Sequence, residues 1–228
     1  MKKNEKIGRI QVVKDGPYLV FGSLPLVGEK IVPDKDNYLL AWKETKKYPA
    51  KESYSLCRCG KSKTKPFCDG THAEVGFDGT ETADNKSFKS KAEKYVGQDL
   101  VLFDAVEYCA SAHFCTRAGG TWDLVEQESG AEAKRIIKKE VADCPSGRLV
   151  LLDKKTKKEI EPNLKPEISA VFDTLTQTDG PLWVKGKIPI AGADGKTYEL
   201  RNRVTLCRCG QSHNKPFCDG WHVSDSDE

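Results

Sequence analysis

Cys57-Arg-Cys59-Gly-Lys-Ser62-Lys-Thr-Lys-Pro66-Phe-Cys68-Asp69-Gly70-Thr71-His72 returns near the end of the chain as Cys207-Arg-Cys209-Gly-Gln-Ser212-His-Asn-Lys-Pro216-Phe-Cys218-Asp219-Gly220-Trp221-His222. Both copies read C-x-C-x8-C-D-G-x-H, with Ser and Pro at the same offsets. Three thiolates and one imidazole suffice for a two-iron cluster or for one tetrahedral metal ion. Ligand type alone suits Zn²⁺ as well, and a zinc-binding structural or adaptor module is the alternative reading. Zinc sites, however, pair cysteines two to four residues apart, and C-x-C beside C-D-G-x-H departs from that spacing. Asp69-Gly70 and Asp219-Gly220 are sharp-turn dipeptides that let a Cys and the His four residues on converge.

These residues resemble the CDGSH iron–sulfur (mitoNEET-type) family, whose signature is C-x-C-x2-S/T-x3-P-x-C-D-G-S/A/T-H. The first copy matches throughout, and the second departs at Trp221, where a small residue is usual. The resemblance implies two [2Fe–2S] clusters. Cys57 and Cys59 would hold one iron of the first and Cys68 and His72 the other. Cys207 and Cys209 would face Cys218 and His222 in the second. Family members assemble one motif per subunit as a two-fold dimer with a β-rich cap. Two motifs in one chain therefore imply an intramolecular pseudo-dimer and a monomer.

Six of the nine cysteines lie in the two motifs, leaving Cys109, Cys115 and Cys144. They stand in Cys109-Ala-Ser-Ala112-His113-Phe-Cys115 and Cys144-Pro145-Ser146-Gly147. Bacterial ferredoxins use C-x2-C-x2-C with a distant Cys-Pro. Here the outer positions and the Cys-Pro are present, and Ala112 takes the middle place. The arrangement resembles [3Fe–4S] ferredoxins and the divergent mono-cluster ferredoxin domain, which implies a third cluster, [3Fe–4S] or [4Fe–4S]. His113 is a candidate fourth ligand and equally a solvated loop residue. Ser129 and Glu132 read as a capping box, and Ala133, Ile136, Ile137 and Val141 as one helical stripe ending at Cys144-Pro145. Strand-like Leu100–Phe103 and Leu149–Leu152 flank these elements.

The duplication reaches beyond the ligands. Gly16-Pro-Tyr-Leu-Val-Phe-Gly-Ser-Leu-Pro25-Leu parallels Gly180-Pro-Leu-Trp-Val-Lys-Gly-Lys-Ile-Pro189-Ile, and Tyr54-Ser-Leu-Cys57 parallels Val204-Thr-Leu-Cys207. Each copy reads as a Gly-Pro-initiated strand, a bend at Pro, and strands leading to the ligand loop. The Lys-rich stretch from Lys43 to Lys51 reads as a solvated insertion. The expected fold class is α+β: two β-rich halves, residues 1–90 and 165–222, with a ferredoxin-like domain at 91–164 between them. An acidic tail, residues 223–228, is expected to be disordered.

With 37 basic and 34 acidic residues the net charge is +3, which gives no case for nucleic acid. No stretch reaches the length of a membrane span, and no signal peptide is evident. Thiolate ligands need a reducing compartment, so a cytoplasmic location is expected. No Ser-His-Asp set, phosphate loop or paired acids appear. The expected role is electron transfer or pH-labile cluster transfer, with a redox protein or an apo iron–sulfur acceptor as partner, and not catalysis. Chemistry at an open iron in the middle domain is the remaining enzymatic route. Trp221 reads either as a shield that keeps water from the second cluster, making the two potentials unequal, or equally as an aromatic packed at the C-terminus.

Overall fold

In the computed structural model the described residues are 8–33, 40–49, 51–174 and 176–223. The first half contains β1 (Arg9–Val12), β2 (Tyr18–Phe21), β3 (Leu26–Pro33), β4 (Leu40–Lys47) and β5 (Ser53–Leu56). Two short helices follow, α1 (Thr71–Glu74) and α2 (Phe88–Lys91). The middle unit is built from β6 (Glu93–Val96), β7 (Leu100–Asp104), α3 (Thr121–Glu126), α4 (Gly130–Asp143), β8 (Leu149–Asp153) and β9 (Glu159–Ile160). The second half supplies β10 (Glu167–Asp173), β11 (Thr178–Lys185), β12 (Ile190–Ala191) and β13 (Arg203–Leu206).

The two halves trade strands. One sheet has the order β12-β1-β2-β5 and a second β13-β11-β10-β3-β4, so each contains strands of both halves. The contributed strands run parallel to their neighbours, pairing Ile10 with Ile190 and Ile168 with Leu26. At each junction the amide of the Ile donates 2.9 Å to a proline carbonyl of the other half, Ile10 to Pro189 and Ile168 to Pro25. Tyr18 pairs with Leu56 as Leu182 pairs with Leu206. These matched registers make an approximate two-fold relation within one chain. Alternation puts Ile10, Val12, Tyr18 and Val20 inward, in a core shared with Ile168, Leu182, Val184 and Leu206.

The middle unit has its own antiparallel sheet, β6-β7-β8-β9, covered by α4, and its own core of Leu100, Leu102, Val125, Ile137, Val141, Leu149 and Leu151. Strand, ligand loop, helix, Cys-Pro and strand follow one another as the sequence suggests. The chain is thus α+β, with a small ferredoxin-like unit between two β-rich halves. Among the described residues, no helix is long and apolar enough to cross a membrane.

Four local expectations need correction. Ser129 occupies the N-cap position of α4, but its side chain makes no capping bond. Exposed Glu132 is instead gripped by Arg135 one turn on, at 2.9 and 2.6 Å, so it does not turn back to the cap. The Lys-rich stretch is no bare insertion: it largely forms β4, whose Lys side chains point to solvent while Trp42 stacks on Phe114 and Trp183. Gly180-Pro181 lies inside β11, which already begins at Thr178. Val223 closes a turn, its amide 3.2 Å from the Gly220 carbonyl; residues 224–228, expected to be disordered, lie outside the described residues.

Candidate metal centres

Each duplicated motif is held by the strand before it. The Cys57 amide donates 2.8 Å to the Pro66 carbonyl and the Cys68 amide 3.0 Å to that of Ser55; Cys207 to Pro216 and Cys218 to Thr205 repeat this at 2.8 and 2.9 Å. Inside each loop the Ser62 or Ser212 hydroxyl donates 2.7 Å to the carbonyl of Phe67 or Phe217. Asp69 accepts from the Lys63 amide at 2.7 Å and from the Thr71 amide and hydroxyl at 3.1 and 2.7 Å. The Thr71 hydroxyl above all, with those two amides, holds the Asp69 carboxyl well below its usual range. Asp219 accepts from the His213 and Trp221 amides in the same way. Both aspartates are therefore turn formers and not acid–base groups.

The ligand side chains gather in pairs. Cys57 and Cys59 sulfurs lie 3.8 Å apart, and Cys68 Sγ lies 3.3 Å from His72 Nδ1. In the second copy the distances are 3.6 Å for Cys207 and Cys209 and 3.5 Å for Cys218 and His222. Among the described residues, no three His, Cys, Asp or Glu side chains converge closely enough to hold one ion. A single tetrahedral zinc needs four donors around one point. Two separate pairs suit the two irons of a [2Fe–2S] core, so the donor set fits the diiron group better than zinc.

The two loops stand back to back. A Cβ on Gly60 (φ +76°) would lie 2.5 Å from the Cys209 carbonyl oxygen, and one on Gly210 (φ +87°) 2.9 Å from that of Cys59. Glycine is required at both places by the positive φ and by this approach. The arginine between each cysteine pair is buried and tied to backbone: Arg58 to Val13 and Gly79, Arg208 to Gly180 and Val171. Were the cysteines deprotonated by a bound metal, these cations would offset their charge. One contact breaks the symmetry. The Tyr18 hydroxyl donates to the Cys207 and Pro216 carbonyls at 2.8 and 3.0 Å, whereas its counterpart in the second half is Leu182.

Electrostatics also differ between the copies. The hydrogen bond from Cys209, helped by nearby backbone amides, pulls Cys207 down to about 6 against the effect of burial. Burial raises Cys218 and lowers His222, while the Asp173 carboxylate pushes His222 partly back. His222 is thus kept neutral, the form that binds metal. It is only 7% exposed, whereas His72 and Cys68 are half-buried. The indole is not the cover. Trp221 is 44% exposed and packs edge-on against His213. The middle unit shields the second site instead: His222 shares a narrow pocket with Ala110, Ala112 and Pro145. A Cβ on Gly220 would meet Ser111 Oγ at 2.3 Å and the Cys109 carbonyl at 3.0 Å.

Cys109, Cys115 and Cys144 line one cavity of the middle unit, together with His113, Ser146 and Arg148. Cys109 follows the turn Val106–Tyr108, Cys115 lies in the turn Phe114–Thr116, and Cys144 caps α4. Burial, then the neighbouring Cys144, pushes the Cys115 thiol up to about 12. Burial opposes the charge on Arg148, yet Asp104 and the Cys109 sulfur keep it protonated. A bound iron cluster would reverse the thiol shift, since metal ligation deprotonates cysteine. Three thiols around a cavity would suit an anionic cluster, and the half-buried guanidinium beside them is held by Asp104 at 2.6 and 2.7 Å. His113, in the left-handed region at φ +55°, is exposed at the cavity rim. Sequence reasoning missed Tyr18 and Arg148, which carry no motif and act through the fold.

Fold and sequence together define a cysteine-rich α+β protein with two like Cys/His loops and a third group of cysteines between them. Residues 15–73 and 179–223 match the family described as iron-binding zinc finger CDGSH type, and residues 95–154 match the divergent 4Fe-4S mono-cluster family. The chain is an iron–sulfur protein carrying two CDGSH domains with a divergent mono-cluster domain between them. Neither the curated proteins nor the solved structures gave a match.

Proposed function

We propose that the chain holds two [2Fe–2S] clusters and a third, [3Fe–4S] or [4Fe–4S], cluster, and serves in electron transfer or cluster transfer without a substrate of its own. Cys57, Cys59, Cys68 and His72 hold the first, Cys207, Cys209, Cys218 and His222 the second, and Cys109, Cys115 and Cys144 the third, with His113 or an outside group free to complete it. The observation that carries the reading is the sorting of each CDGSH ligand set into a thiol pair and a thiol–imidazole pair.

A bound cluster supplies one-electron redox chemistry, at a potential that imidazole ligation raises above the all-thiolate case. The protein's own residues do the rest. Gly60 and Gly210 bring the two loops together, Arg58 and Arg208 offset the thiolate charge, and the middle unit keeps water from His222. Full ligation by protein leaves no open iron at the CDGSH sites, which favours a carrier over an enzyme. Protonation displaces an imidazole from iron, so release quickened by acid is the companion property. The partner is a redox protein or an apo iron–sulfur acceptor. A reducing compartment such as the cytoplasm suits the thiolates.

The test is iron, zinc and sulfide per chain on anaerobically purified protein, with EPR before and after reduction. About four irons with matching sulfide support the CDGSH clusters, and about three or four more support the third. Stoichiometric zinc without sulfide would sink the reading.

A further inference from the structure

The end of α4 delivers Cys144, and within the middle unit the Cys144 amide, 3.2 Å from the Val141 carbonyl, closes that end in part. The last carbonyls of a helix lack partners within it and must find them elsewhere. Here they find them on the CDGSH framework. Arg203 donates through Nη1 to the carbonyls of Val141, Ala142 and Cys144 at 2.5, 2.9 and 2.7 Å. Its Nη2 reaches the Leu149 carbonyl at 3.2 Å, and Nε and Nη2 clasp Glu161 at 3.1 Å each. The remaining carbonyl, that of Asp143, accepts from the Trp42 indole at 3.0 Å. Arg201 holds the next turn by donating to the Gly147 carbonyl.

Arg203 is 1% exposed, and β13, which it opens, runs straight into Cys207. A guanidinium is suited to this place, being a rigid fork of five donors whose charge complements the negative helix terminus. The paired registers put Ser53 at the corresponding position of the first half. Arg203 therefore has no counterpart in the first half, which contributes Trp42 of β4 instead. The other ligand loop of the third site, Cys109 to Ser111, abuts Gly220 of that same half.

We infer that Arg203 and Trp42 position Cys144 for the third cluster, so that the ferredoxin-type site is built on the mixed sheet that runs from β13 to β4 and assembles only when that sheet is in place. The inference rests on the proposed reading that Cys109, Cys115 and Cys144 bind a cluster. Without Arg203 the carbonyls at the helix end lose their donors and Glu161 its cation, freeing the Cys144 turn to move. Outer-shell partners of this kind change metal retention by roughly ten- to hundredfold.

The full-length chain, reconstituted anaerobically with iron and sulfide, provides the test. R203M is expected to lose the third cluster to a chelator roughly ten- to hundredfold more readily, with the CDGSH spectra unchanged. R203K, which keeps the charge and some donors, is expected to recover part of that loss. W42F, which keeps the aromatic packing but not the N–H, is expected to shift the EPR signature of the third cluster. C218A is expected to lower third-cluster occupancy, and C68A to leave it intact. Unchanged retention and EPR in R203M and W42F would overturn the inference, as would equal loss from all three sites. A wild-type chain showing CDGSH signals alone would remove the underlying reading, and the inference with it.

Discussion

Gly60 meets the opposite loop so closely that the smallest side chain is too large, because the Cys209 carbonyl would face a new Cβ at 2.5 Å. Alanine there must also accept a positive φ. G60A is expected to cost roughly 1–3 kcal/mol, read as a lower thermal midpoint of the loaded protein. G70A, whose Cβ would meet nothing within 4 Å, is the control with strain alone and should cost less. At this scale the two repeated motifs were the most legible feature, because metal chemistry restricts residue type and spacing together. For Trp221 the sequence left shielding and plain packing equally open, since it shows that an indole is near a site but not which way it faces. Tyr18 was silent because its partner, Cys207, lies 189 residues away.

The strands were legible singly and illegible in combination. Short apolar runs announce β2 and β7, but nothing in them says that β1 should lie beside β12 or β10 beside β3. Parallel pairing between distant segments is settled by the shared core, not by local propensity. The burial and position of these strands predict a hydrogen-exchange order. Amides of β10, flanked on both sides by β3 and β11, are expected to be the slowest to exchange, and those of β4, at the edge with its Lys residues in water, much faster. Equal protection of β4 and β10 would contradict the observed strand order. The capping box failed for a related reason, as Glu132 had a nearer cation in Arg135.

Across the molecule, the described residues place two like halves of one chain about an approximate two-fold, with strands of each half in both sheets. Light scattering on the eluting protein is therefore expected to give the mass of one chain, about 25.3 kDa, and a concentration-independent dimer would count against this. The two CDGSH sites are unequal because only one is covered by the middle unit. The first is expected to release its cluster to a chelator several times faster than the second, with H72C and H222C used to assign the two phases by their altered spectra. A single phase for both would refute the difference in access. The traded strands also set a timetable for biosynthesis. A ribosome releases Cys57 through His72 long before Ile190 emerges to flank β1, so the sheet that carries the first motif cannot be completed until the far end of its own chain has been made.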